Sequence, residues 1–230
     1  MKKIFLLAIA AVATTAAFSQ VNWGVQAHGN LARTSLSGEG TEVLTKKSLI
    51  GFGAGVVADA SLGGQLSLRT SLNLLQKGGK VKFDGAADEE NGDSFIPSID
   101  ASNKLYYAEL PINLVYNVNL SSGKLFFGAG PSLGYGLFGK SKVTSSNPFD
   151  PSEKETDESD AFKKAEDGGA GIKRFDFSAN AIAGYQFNNG LFINAGYLMG
   201  FANLVDSEDG GSMKNRGLQL TVGFMFNKKK

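Results

Sequence analysis

The residues best suited to chemistry in this sequence stand apart from one another. Gly134-Tyr-Gly-Leu-Phe-Gly139-Lys140-Ser141 has the G-x-x-x-x-G-K-S spacing of a phosphate-binding loop, which works by wrapping backbone N–H groups round phosphates just before a helix. Here the intervening residues alternate as a strand, and Lys142-Val-Thr-Ser-Ser-Asn-Pro148 is a poor helix start. Gly53-Ala-Gly55-Val-Val-Ala58 imitates a dinucleotide fingerprint, but a turn follows it where a helix is required. His28 is the single histidine. A general base needs a positioned nucleophile or carboxylate, and no G-x-S-x-G nucleophile motif occurs, so His28 reads as a hydrogen-bonded structural residue. Asp150, Glu153, Glu155, Asp157, Glu158, Asp160, Glu166 and Asp167 form an acidic run. It lacks the order of a calcium-binding hand and reads as a solvated, mobile loop, with Ser152-Glu-Lys-Glu155 able to cap a short helix. No enzyme activity, cofactor or metal is expected.

The elements that carry these residues are strands. Lys2 and Lys3, the apolar run Ile4 to Ala17 and the small-x-small Ala17-Phe18-Ser19 read as a cleaved export signal over residues 1–19. Residues 20–230 then form one domain. The chain has no cysteine, which excludes disulfides, thiolate metal sites and lipid attachment to an N-terminal cysteine. Loss of the two signal lysines moves the net charge from +1 to −1, which leaves no basic footprint for nucleic acid. After Gln20 no apolar run approaches the roughly eighteen residues of a membrane helix. A chain that spans a membrane without helices must close its strands into a barrel, because lipid offers backbone groups no partners.

Period-two alternation recurs in eight segments. They carry Trp23–Leu31, Ile50–Ala58, Gln65–Leu74, Tyr106–Asn117, Leu125–Leu137, Phe175–Phe187, Leu191–Phe201 and Leu218–Phe226. Each sets an apolar face against a polar or glycine face, although Phe192 and Leu198 break the pattern in the seventh. The connections alternate between long polar loops (34–47, 78–103, 140–171 and 204–215) and tight turns near Ser61-Leu62-Gly63, Ser121-Ser122-Gly123 and Asn188-Asn189-Gly190. Loops at one end and turns at the other predict an eight-stranded antiparallel up-and-down transmembrane barrel with extracellular loops. A soluble, lipocalin-like cup would put the apolar face inward. Two aromatic groupings favour lipid: Trp23, Tyr116, Phe127, Phe187 and Phe226 at the turn end, and Tyr106, Phe175 and Phe201 at the loop end. His28, Arg69, Glu109 and Asp176 then face a polar lumen, where charge is costly unless networked. Side chains fill an interior of this size and leave no wide channel.

The chain also resembles the small outer-membrane barrels grouped with PorT-type and "porin family" proteins. The resemblance is carried by Leu66 to Gly78, by Tyr107-Ala-Glu109-Leu-Pro111, by Gly128-Ala-Gly130-Pro131-Ser-Leu-Gly134 and by the closing strand Arg216 to Phe226. It departs at Gly196, where a basic residue is expected, and in the tail after Phe226. The resemblance implies a bacterial outer-membrane location and the barrel fold without implying an activity. Outer-membrane lipid is the expected surrounding. Loops 78–103 and 140–171 are expected to meet an external ligand, an envelope protein or a secretion-machine component. A barrel-embedded lipid-modifying enzyme is a distant alternative.

Overall fold

The computed structural model describes residues 21–38, 41–87, 95–147, 153–205 and 211–226. The expected signal segment, Asp150, Ser152 and the Lys228–Lys230 tail lie outside these residues. Eight long strands, β1 (Val21–Ser37), β2 (Leu49–Gly63), β3 (Leu66–Phe83), β4 (Ser98–Leu120), β5 (Gly123–Ser146), β6 (Phe175–Phe187), β7 (Leu191–Gly200) and β8 (Ser212–Met225), pair antiparallel with their chain neighbours. The β8–β1 pairing closes the ring, with Trp23 near Phe226 and Leu31 opposite Leu218. Closure leaves no sheet edge for lipid to meet.

The alternation in the sequence becomes two faces. Outward residues are apolar and exposed, with Ile50 at 66%, Leu218 at 58% and Leu220 at 55%. Inward residues are polar and buried, with Asp176 at 0%, Glu109 at 2% and Arg69 at 4%. A soluble cup would show the reverse. From Tyr106 to Tyr116 on β4, ten residue steps cover ~33 Å along the strand. At a tilt near 40° this is a band roughly 25 Å tall, the height of a barrel's apolar belt. Trp23, Tyr116, Phe127, Phe187 and Phe226 are exposed at its turn end, Phe175 and Phe201 at its loop end.

The second and third tight turns fall where expected, while the first is displaced from Ser61-Leu62-Gly63, which are strand, to Gly64-Gln65. In the third, Gly190 adopts φ +96°, and its N–H donates to Phe187 O at 3.0 Å, a left-handed closing position that a Cβ would oppose. Gly134–Ser141 and Gly53–Ala58 are strand, so neither has the strand–loop–helix context of a nucleotide site.

The long connections differ from the expectation. Most of 78–103 and much of 140–171 are strand. β3, β4 and β5 run on past the apolar band and are joined by Lys154–Asp160, which pairs with Lys140–Ser146, and by Thr45–Lys47, which pairs with Lys80–Lys82. The result is a five-stranded extension whose register can be read straight across: Lys47, Lys80, Ser102, Lys142 and Glu158. From Lys104 to Ser98 it stands ~20 Å along the strand. Glu166 and Asp167 of the acidic run lie in a short 3-10 turn and the expected cap Ser152 lies outside the described residues, whereas Glu155 to Asp160 form an edge strand. Its charge suits an edge that must not recruit further strands. Beyond it the chain turns back, and Ala161, Phe162 and Ile172 are buried. The solvated loop is thus a plug as well as an edge.

Candidate functional site: the charged lumen

Tyr107, Glu109 and Pro111 are spaced by two, so β4 turns all three inward. Glu109 pairs with Lys77 on β3 at 2.5 Å and accepts a hydrogen bond from the Ser132 hydroxyl at 2.7 Å. Lys77 also pairs with Asp176 on β6 at 3.0 Å. Asp176 accepts a further hydrogen bond from Asn215 at 3.0 Å. One ammonium thus holds two carboxylates from different strands in a water-poor layer, with the Tyr107 ring 5.0 Å away. Above this layer Leu105, Tyr107, Ala161, Phe162, Ile172, Leu204 and Met213 pack together across the mouth. The glycine face of β5 accommodates the plug, since a Cβ at Gly136 would run into the Phe162 ring.

The turn end has its own cluster. Arg69 donates to Asp59 through Nε at 3.0 Å and Nη2 at 2.5 Å, and to Gln186 at 3.2 Å. Its guanidinium lies 4.2 Å from the Phe126 ring centroid and 5.5 Å from that of Phe192. Phe126 and Phe192 pack with Val57, Val115 and Met225 into a second apolar layer. Phe192, off-pattern in the sequence, is inward because it builds this layer.

His28 lies between the two charged clusters and belongs to neither. Its Nε2 is 3.1 Å from Asn73 Oδ1, which also accepts from Gln26 Nε2, so the ring donates there. Its Nδ1 then accepts the Thr221 hydroxyl at 2.9 Å. Around it the free space is a cavity of about 40 Å³, with a neighbour of about 20 Å³, room for a water or two. The structure therefore brings Glu109 and Asp176 together on Lys77 and keeps Arg69 and His28 apart from them. Lys77, Asp59, Lys124 and Phe126 belong to the lumen without having been singled out from the sequence. Lys77 was in principle readable, since it continues the inward series of Arg69, Ser71 and Asn73. Among the described residues no three His, Asp or Glu side chains gather as metal ligands do.

A ring of strands, charged within and apolar without, now has a counterpart among known families. Residues 18–206 match the profile of a family described as "Outer membrane protein beta-barrel domain". The chain belongs to that family. A bacterial outer-membrane location follows from the family. No curated protein matches the chain. Among solved structures it is similar to Neisserial surface protein A, with 15% identity and a TM-score of 0.41 over 90% of this chain and 99% of that one. It is similar to Ail, the attachment invasion locus protein of Yersinia pestis, with 17% identity and a TM-score of 0.38 over 89% and 99%. It is also similar to the outer membrane protease OmpT from Escherichia coli, with 12% identity and a TM-score of 0.42 over 91% and 97%. The outer-membrane barrel described here is thus a lumen-filled member of its family.

Proposed function

We propose that this outer-membrane barrel is a non-enzymatic scaffold that binds an external ligand or an envelope protein through its extracellular strand extension. The observation that carries the reading is the five-stranded extension itself: strands that needed only to cross the membrane continue beyond it as one paired surface. On that surface Lys47, Lys80, Lys82 and Lys142 surround a cavity of about 380 Å³ with Asp100 as a neighbour, a chemistry suited to an acidic partner. The blocked lumen supports a role outside the pore. His28 supports the non-enzymatic part, because both ring nitrogens are engaged by neutral partners and the space beside it would not admit a lipid substrate. A PorT-type role in secretion or assembly is the second reading. It is favoured by the same extension, which would serve as its docking face, and by the Tyr107-x-Glu109-x-Pro111 element.

The test is affinity capture of the intact protein from gently solubilised outer membranes, with wild type beside a Lys47→Glu/Lys80→Glu/Lys142→Glu variant. A defined partner held by wild type and released by the variant is expected. A partner held equally by both would place binding elsewhere. Hydrolysis of membrane lipid by the purified wild-type protein would refute the non-enzymatic reading.

A further inference from the structure

At the loop-end rim of the apolar band, the outer surface of β7, β8 and β1 opens into a cavity of about 480 Å³. Its lower lining is apolar: Leu31, Leu218 and Tyr197 are exposed members of the lipid-facing stripes. Its upper lining is cationic: Arg33, Arg216 and Lys46. Arg33 stands two residues beyond Leu31 and Arg216 two before Leu218, one outward position higher on each strand, or ~5 Å after tilt.

Arg33 and Arg216 are direct partners across the β1–β8 seam, and both are exposed. Like charges facing each other in an antiparallel pair destabilise it. Among the described residues neither arginine has a carboxylate within ion-pair distance. Lys46 donates one bond to Leu36 O at 2.9 Å, which leaves two of its three protons. The opposite side of the barrel makes the contrast. There Lys104 faces Lys140 across β4–β5, above the stacked rings of Tyr106 and Phe138, but Lys140 has Glu158 at 3.2 Å as its own counter-ion. The arginine pair lacks an internal answer to its charge, at the height where lipid headgroups begin.

We propose that this cavity seats the phosphate of an outer-leaflet lipid headgroup, with that lipid's chains lying along the Leu31 and Leu218 stripes. Two guanidiniums suit the geometry, because each can grip phosphate oxygens with a planar fork. A free anion would use the charges alone. A lipid uses both halves of the site, and it is already the barrel's solvent.

The experiment is a native mass-spectrometric titration of the protein in neutral detergent with phosphorylated lipid A, dephosphorylated lipid A or inorganic phosphate. One phosphorylated lipid per barrel is expected, with the other two probes at least roughly tenfold weaker, the loss expected when charge-assisted hydrogen bonds go. Arg33→Gln/Arg216→Gln should weaken lipid binding by a similar factor, whereas Lys104→Gln/Lys140→Gln should retain it. Each variant's fold is checked by its heat-modifiable gel mobility, and the single Arg216→Gln stands in if the double variant does not fold. Undiminished binding by the folded arginine variant would overturn the site. Equal losses in both double variants would reduce it to general rim charge, and equal binding of inorganic phosphate would make it a small-anion site. Either result contradicts the proposal.

Discussion

Lys77 is the residue on which the loop-end half of the lumen turns. It is ion-paired with Glu109 and Asp176 at once, and both carboxylates are buried too deeply for water to take its place. Removing one partner from a buried ion cluster leaves uncompensated charge and costs about 3–5 kcal/mol, whereas removing the whole cluster costs far less. Lys77→Met should therefore lower stability by about that amount in a urea titration of barrels refolded in vesicles. Adding Glu109→Gln and Asp176→Asn to the same chain should recover most of the loss. No recovery would mean that Lys77 acts through packing alone. Alternation was enough to turn Arg69, Glu109, His28 and Asp176 inward from the sequence. Their partners were harder to read, because partnership depends on register. Lys77 reaches β4 and β6, and nothing local in Lys77-Gly78 says so. Asp59 and Arg69 are an exception in principle, since they face each other across one short turn.

At the scale of elements, the eight strands and three turns were legible because each signal is local: period two for a strand and glycine for a turn. The loops were not. Polar composition was read as solvation, yet a strand outside the membrane has no need of an apolar face, so Lys154–Asp160 is strand in spite of its acids. The plug was missed for a related reason. Ala161, Phe162 and Ile172 are a few apolar residues in a polar stretch, and only the tertiary fold returns them to the mouth. Phe162→Ala tests this directly. A buried phenylalanine costs about 3–5 kcal/mol when truncated, an exposed loop residue less than about 0.5 kcal/mol, and the same vesicle titration distinguishes the two. The strand faces have their own test. Leu220 faces lipid and Gln219 the lumen, so Leu220→Arg should cost about 2–4 kcal/mol near mid-bilayer. Gln219→Glu should be comparatively mild. The opposite ranking would reverse the faces of β8.

The whole molecule is a closed barrel whose two ends differ. The turn end is short and sealed by Phe126, Phe192 and Met225. The loop end carries cations at the rim, a plug in the mouth and a paired sheet beyond it. The fold class was legible from alternation and from the long–short rhythm of the connections. The two seals were not, because each is assembled from residues far apart in the chain. Together they support the central proposal, that function lies on the outside of this barrel and its lumen is structural. Single-channel recording of the wild-type protein in planar bilayers tests it most directly, with insertion confirmed separately by protection of the strands from protease. With the lumen spaces among the described residues at about 20, 20 and 40 Å³, the account predicts a flat current in membranes that demonstrably contain the barrel. Discrete, reproducible openings from the folded wild-type protein would contradict it.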